Sequence, residues 1–143
     1  MTAADRSADR SAADRMFASD PSLAALGIVV VRRDPGDAVA ELAVRDDMVN
    51  GHGVVHGAFV FAVADTALAL AAHEDDRPVL TAGADIEFLR PARSGAVLRA
   101  TARRVALAGR SGVYDVEVVD DAGELVAVLR GRSRALRTGP TTG

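Results

Sequence analysis

One segment of 15 residues, 58–72, limits the folds that are open to this chain. Thirteen of its residues are Ala, Val, Leu or Phe, and only Asp65 and Thr66 interrupt them. The segment is shorter than the about 20 residues that a helix needs to cross a bilayer, and it has no polar face. Because a helix that is apolar on every side is surrounded by protein, the sequence predicts a helix enclosed at the centre of the domain.

The remainder of the chain is typical of antiparallel strands. Two β-branched runs, 28–33 and 38–44, flank the turn sequence Asp-Pro-Gly-Asp. After Pro78, apolar residues recur at every second position in segments near 79–89, 97–107, 112–119 and 125–136. Parallel strands need a crossover each, and one long helix cannot supply them. The expected fold class is therefore α+β, with an antiparallel sheet of about six strands wrapped around one long central helix.

The domain boundaries follow from composition. The chain has 143 residues, the size of one domain. Its first 15 residues repeat Ala-Asp-Arg-Ser with little apolar surface, which predicts a flexible arm or frayed helix over residues 1–18. A domain over 19–137 and a disordered tail over 138–143 complete the division. Asp20-Pro21 and Gly27 predict the start and end of a short helix.

Composition excludes several classes of chemistry. The chain has no Cys, and all 17 of its basic residues are Arg, so thiolate nucleophiles, Schiff-base lysines and Walker phosphate loops are ruled out. A net charge of −3, with four Phe and one Tyr, does not suit nucleic acid. The sequence lacks the pattern of a signal or transit peptide. We expect a cytoplasmic protein without a nucleic-acid or membrane partner, a metal or an organic cofactor.

Asp65 is the first candidate for a functional residue. A carboxylate within an apolar helix is destabilising unless a partner or a water-filled site receives it. Asp65 is therefore either a catalytic carboxylate or a structural residue with a hydrogen-bond partner at a subunit interface.

The sequence NGHGVVHG, residues 50–57, is the second candidate. Its glycines predict a loop that lets a ligand approach the backbone, and amides at the following helix N-terminus suit a developing oxyanion. The alternative is a tight turn that simply requires glycine.

The histidines do not favour a metal site within one subunit. His52 and His56 do not share a helix, and His56 and Asp65 fall on opposite helical faces. His73, at the helix exit, is expected to be exposed to solvent.

Helix geometry separates the two candidates. Gly57 and Asp65 are eight residues apart, about 12 Å along a helix axis. They cannot act on the same carbonyl group within one subunit. If both serve one reaction, two subunits must pack antiparallel across a two-fold axis, with the active site between them.

Five motifs resemble those of the hotdog-fold acyl-CoA thioesterases. They are MVNGHGVVHG (48–57), FAVADTA (61–67), DIEFLRP (85–91), GVYDVEVV (112–119) and LRGRS (129–133). The resemblance runs from about residue 14 to residue 134, and within the family it is greatest to the phenylacetyl-CoA thioesterases of bacterial phenylacetate degradation. It implies a hotdog fold, a dimer with a continuous sheet, and commonly a tetramer of two such dimers.

The resemblance also implies the reaction and the site. The reaction is hydrolysis of acyl-CoA thioesters, with phenylacetyl- or hydroxyphenylacetyl-CoA as candidate substrates. By matching position, Asp65 is the general base or nucleophile and the Gly57 amide is the oxyanion donor. Asn50 and His56 position the thioester or water, and Thr81 lies near the catalytic carboxylate of the facing subunit.

A second group of residues matches regions that line the CoA arm: Arg90, Pro91, Gly109, Arg110 and Ser111. The chain departs from the family at Ala58, where a second glycine is usual, and we expect the extra methyl group to change the acyl pocket. Two alternative functions are a hotdog hydratase or dehydratase and a non-catalytic acyl-CoA-binding regulator. Such regulators usually carry a DNA-binding segment, for which the N-terminal arm is too short and too acidic.

Overall fold

A computed structural model describes residues 11–137 of the chain. The helices are α1 (Ala12–Ala18), α2 (Pro21–Leu26) and α3 (Gly57–Ala72), with a short 3-10 turn at Asp46–Met48. The strands are β1 (Ile28–Asp34), β2 (Asp37–Ala43), β3 (Val79–Phe88), β4 (Val97–Ala108), β5 (Ser111–Val119) and β6 (Leu125–Ala135). None of the helices in this part of the chain is both long and apolar enough to cross a membrane.

The strands form a single antiparallel sheet in the order β1-β2-β4-β5-β6-β3. The predicted α+β architecture is confirmed, and each predicted strand begins and ends within two residues of the observed one. β1 and β3 are the edge strands, and each contains a register shift typical of a β-bulge, in β3 between Thr81 and Gly83. All six strands of the sheet contact α3, and residues from both form one core.

α3 packs closely on the backbone of β6 at Gly131. A Cβ atom on Gly131 would lie 2.0 Å from Cδ1 of Leu68, which is fully buried. Leu68 follows Asp65 by one helical turn. The missing side chain at Gly131 therefore sets how closely the centre of α3 approaches the sheet.

One face of α3 stays partly uncovered in the single chain. Ala58 is exposed, and Phe61, Ala62, Asp65 and Ala69 are half-buried. These positions are three or four residues apart, so they lie on one side of the helix. The expectation of a helix enclosed on nearly all sides is therefore only partly met by the sheet of one chain.

Residues 11–18 differ from the expected flexible arm. They include α1, with Ser11 as its N-cap, and both Ala13 and Phe17 are buried in the core. The Ala13 N–H also donates to Asp75 Oδ1 at 3.0 Å. Phe17 supplies apolar surface that the charged repeat before it lacks, so the domain begins before residue 19. The rest of the expected arm and the tail at 138–143 lie outside the described residues.

Arg33 joins β1 to both α1 and the end of α3. Its side chain is 9% exposed. Nε donates to Leu70 O at 3.1 Å, Nη2 to His73 O at 3.0 Å, and Nη1 to Asp14 Oδ1 at 3.1 Å. The carbonyl groups at a helix C-terminus carry partial negative charge, so a cation there is favourable. Arg33 thus fixes the C-terminal end of α3.

His73 is half-buried, so the prediction that it is exposed to solvent is wrong. Its Nδ1–H donates to Ala69 O at 3.2 Å, and its ring meets the ring of Phe17 edge-on at 4.9 Å. Burial lowers the pKa of His73; the Ala69 carbonyl opposes this change, while the charge of Arg33 adds to it. The folded chain therefore favours neutral His73.

We expect this burial to make stability depend on pH in a defined window. Above the ordinary histidine pKa of 6.5 both states hold neutral His73. Below it, the unfolded chain binds a proton that the folded chain resists, so stability falls with pH until the lowered pKa is reached. The melting temperature should fall more from pH 7.5 to 5.5 in the wild type than in His73→Gln. Equal falls would contradict the assignment.

Candidate active site

Asn50 organises the loop that leads into α3. Its Oδ1 accepts hydrogen bonds from His52 N–H at 2.9 Å and Val54 N–H at 3.4 Å. Its backbone N–H donates to Val54 O at 2.8 Å, and Gly53, at φ 75°, allows the chain to turn back. The side-chain oxygen of Asn50 is therefore used by the loop itself.

The start of α3 is held in place by its neighbours. His56 N–H donates to Met48 O at 2.8 Å, and His56 Nδ1 accepts from Ala58 N–H at 3.0 Å. This cap requires an unprotonated Nδ1. The N–H of Gly57, between the two, has no acceptor within residues 11–137. One unpaired amide therefore remains at the positive end of a 16-residue helix.

A groove of about 430 Å³ lies beside this amide. Except for Arg90, its side chains are apolar, and Gly57 contributes backbone alone. The lining residues are Val54, Val55, Gly57, Val60, Phe88, Leu89, Arg90, Pro91 and Val126. Gly57 therefore forms part of the wall of a largely apolar groove.

Asp65 lies half-buried in the middle of α3, outside this groove. Thr81 Oγ1, from the edge strand β3, donates to Asp65 Oδ1 at 2.7 Å. Thr81 thus contacts the carboxylate of its own chain; its expected position near the carboxylate of the facing subunit stays a prediction. Within residues 11–137 the second oxygen, Oδ2, has no hydrogen-bond partner, so it is available to a water molecule.

The residues expected along the CoA arm fall into two separate groups. Arg90 and Pro91 line the groove, and Arg90 Nε lies 3.5 Å from Glu124 Oε2 at the surface. The turn over 109–111 lies at the other end of β6, where Arg110 O accepts from Ala135 N–H at 2.8 Å. Because nine residues of β6 separate these ends, about 30 Å at 3.3 Å per residue, one chain does not bring Arg90 and Arg110 together.

The two histidines of the glycine loop lie in different surroundings. His52 is exposed in the loop, and His56 is the helix cap. The described part of the chain has no group of three or more His, Asp and Glu that could hold a metal ion.

Phe88 lines the groove beside Gly57, and the sequence did not predict this position. It follows Ile86 and Ala84 at alternate positions of β3, and those two pack against the core. The alternation predicts that Phe88 also faces the helix side of the sheet. Its contact with the start of α3 could not be read from the sequence, because it depends on how the strand and the helix pack.

Comparison with known proteins identifies the family. A model of the thioesterase superfamily matches residues 52–127, just over half of the chain. The chain belongs to the thioesterase superfamily.

The similar proteins support this assignment. The acyl-coenzyme A thioesterase PaaI of Escherichia coli K12 is 37% identical over 124 residues, covering 87% of this chain and 89% of the relative. A putative esterase of Archaeoglobus fulgidus is 30% identical over 118 residues, or 82% and 77% of the two chains.

Two solved structures have the same fold. That of the E. coli PaaI protein, from the phenylacetic acid degradation operon, has a TM-score of 0.84 at 36% identity, covering 88% of this chain and 91% of that one. The TT0310 protein of Thermus thermophilus has a TM-score of 0.77 at 40% identity, with coverage of 82% and 98%. The predicted hotdog fold is confirmed.

Proposed function

We propose that this chain hydrolyses acyl-CoA thioesters to the free acid and CoA. The observation that carries the proposal is the presence, on one helix of a thioesterase-superfamily chain, of two chemically distinct features. Gly57 has an unpaired N–H beside an apolar groove, and Asp65 has a carboxylate that Thr81 orients. A thiol-release assay over a panel of acyl-CoA esters tests this function and defines its acyl preference.

The active site is proposed to form between two subunits. Gly57 and Asp65 are eight residues apart in α3, about 12 Å, which is too far for both to act on one carbonyl group. β3 is an edge strand with unpaired backbone groups, and one face of α3 is partly uncovered. Pairing of two β3 strands across a two-fold axis would cover both surfaces. Further assembly into a tetramer stays a prediction.

In the proposed reaction, Asp65 Oδ2 takes a proton from water as the water oxygen attacks the thioester carbonyl carbon. The carbonyl oxygen becomes an oxyanion that accepts a hydrogen bond from Gly57 N–H of the second subunit. When the C–S bond breaks, the thiolate of CoA leaves and takes up the proton held by Asp65. Alternatively, an Asp65 oxygen attacks the carbonyl carbon, and the C–S bond breaks to release the thiolate of CoA. Water then hydrolyses the resulting anhydride to the free acid and the Asp65 carboxylate, and the proton released in that step goes to the thiolate.

Asn50 and His56 are proposed to act as positioning residues. Asn50 fixes the loop through its side-chain oxygen, and His56 caps the amide of Ala58. Both interactions fix the direction of the Gly57 N–H without contact with the reacting atoms.

We propose that the CoA arm contacts residues of both subunits. Arg90 and Pro91 lie at the groove, and Gly109, Arg110 and Ser111 would come from the facing chain. The guanidinium groups suit the phosphates of CoA. Phenylacetyl- and hydroxyphenylacetyl-CoA are the proposed substrates, since the E. coli relative belongs to the phenylacetic acid degradation operon. The cytoplasmic location stays a prediction that cell fractionation can check.

Asp65→Asn should abolish catalysis and preserve the fold. The amide has nearly the same volume and can still accept the hydrogen bond from Thr81. Loss of the base should lower kcat by at least about 100-fold, while binding of a non-hydrolysable acyl-CoA analogue stays within a few-fold. Melting temperature and oligomeric state are measured on the same preparation. Near-normal turnover by a folded Asp65→Asn protein would refute the mechanism.

Gly57→Pro removes the oxyanion donor and leaves the helix intact. Proline is tolerated at the first position of a helix, where its missing N–H is not needed for the helical ladder. Gly57→Ala is the matched control, because it adds a Cβ at the same place and keeps the N–H. We expect kcat of the Pro variant to be about 100-fold below that of the Ala variant. Similar kcat values for the two would exclude this amide as the donor.

Complementation between variants tests the shared site. A heterodimer of one Asp65→Asn subunit and one Gly57→Pro subunit, purified through two different tags, has one doubly altered site and one intact site if each site spans two subunits. Its kcat should then recover to about half of the wild-type value per dimer. If each site lies within a single subunit, the heterodimer will be as inactive as its two parents.

A further inference from the structure

Phe88 lies directly against the backbone of Gly57. A Cβ atom on Gly57 would be 3.0 Å from Phe88 Cζ and 3.3 Å from Phe88 Cε1, so the ring occupies the space that a side chain there would take. Phe88 nevertheless keeps 53% of its surface exposed. Within the single chain, part of the ring is therefore uncovered, and the ring lines the groove.

The position of the ring constrains any acyl group bound at this amide. An oxygen that accepts from Gly57 N–H lies about 2.9 Å from the nitrogen. Backbone geometry then places that oxygen no more than about 8 Å from the nearest atom of the Phe88 ring. Because the acyl group is bonded to the same carbonyl carbon, it begins within reach of a ring that lines the same groove.

The chemistry of the groove distinguishes aromatic from linear acyl groups. Among its described lining residues, Phe88 alone has an aromatic ring; Val60, Leu89, Pro91 and Val126 offer aliphatic surface. Contact with an aliphatic wall stabilises any bound apolar group in proportion to the apolar area that is buried. An aromatic pair gains additional free energy from offset or edge-to-face geometry.

We propose that Phe88 is a specificity-determining residue, whose ring stacks on the aryl part of the acyl group and favours aryl-acetyl over linear acyl thioesters. This inference rests on the proposed hydrolysis of acyl-CoA and adds the residue that selects the acyl class. The ring also narrows the groove next to Gly57. In that space it would hold a flat acyl group beside the thioester carbonyl.

The test compares kcat/KM for phenylacetyl-CoA and hexanoyl-CoA. Phe88→Leu keeps apolar bulk and removes the ring, so the ratio of the two values should fall about three- to tenfold, the contribution of an aromatic pair beyond its buried area. The value for hexanoyl-CoA should fall less than that for phenylacetyl-CoA, because the aliphatic contact remains. Phe88→Tyr keeps the ring and should keep the ratio.

Phe17→Leu is the matched control, since it makes the same chemical change at the opposite end of α3, against His73. It should leave the ratio unchanged. An unchanged ratio in Phe88→Leu, including an equal loss on both esters from a weakened dimer, overturns the inference and leaves the proposed hydrolysis intact. If the wild-type chain releases thiol from neither ester, the proposed function fails and this inference fails with it.

Discussion

The structure depends on the burial of one helix that has almost no polar surface. The sheet of a single chain covers most of α3 but leaves a strip from Ala58 to Ala69 partly uncovered. Asp65 lies in this strip, together with apolar residues that the sheet of one chain does not fully cover. The incomplete cover therefore has two consequences: the carboxylate can reach solvent, and the surrounding apolar atoms favour contact with another protein surface.

Both ends of α3 are fixed by polar contacts, while its middle is held by apolar packing. At the N-terminus, the imidazole of His56 caps Ala58. At the C-terminus, the buried guanidinium of Arg33 binds the carbonyls of Leu70 and His73 and links them to Asp14. These contacts satisfy hydrogen-bonding groups of the backbone that water does not reach in a buried helix. The Gly57 N–H is an exception at the N-terminus, and Gly57 lines a groove.

Much of the fold was predictable because its signals are local. The enclosed helix, the strand alternation and the Asp20 and Gly27 caps each appear in consecutive residues. Two expectations that the described residues contradict share one origin: the part of the flexible arm, predicted over residues 1–18, that covers residues 11–18, and the exposed His73. Phe17 and His73 bury each other although they are 56 residues apart, and no local pattern encodes that contact. The same holds for the site, where Asp65 and Gly57 were predictable from motifs, whereas the contact of Phe88 with Gly57 depends on tertiary packing.

Gly131 lies outside the groove, but it affects the position of Asp65 relative to the sheet. Because Leu68 lies where a side chain of residue 131 would be, the separation between helix and sheet is fixed one turn beyond Asp65. A larger residue at position 131 would push the middle of α3 away from the sheet. The Asp65 carboxylate would move with the helix, although no residue of the groove had changed. In a symmetric dimer that displacement would occur at both active sites at once. The position of Asp65 and the shape of the groove can therefore diverge independently during evolution, the first through the helix–sheet contact and the second through residues such as Phe88.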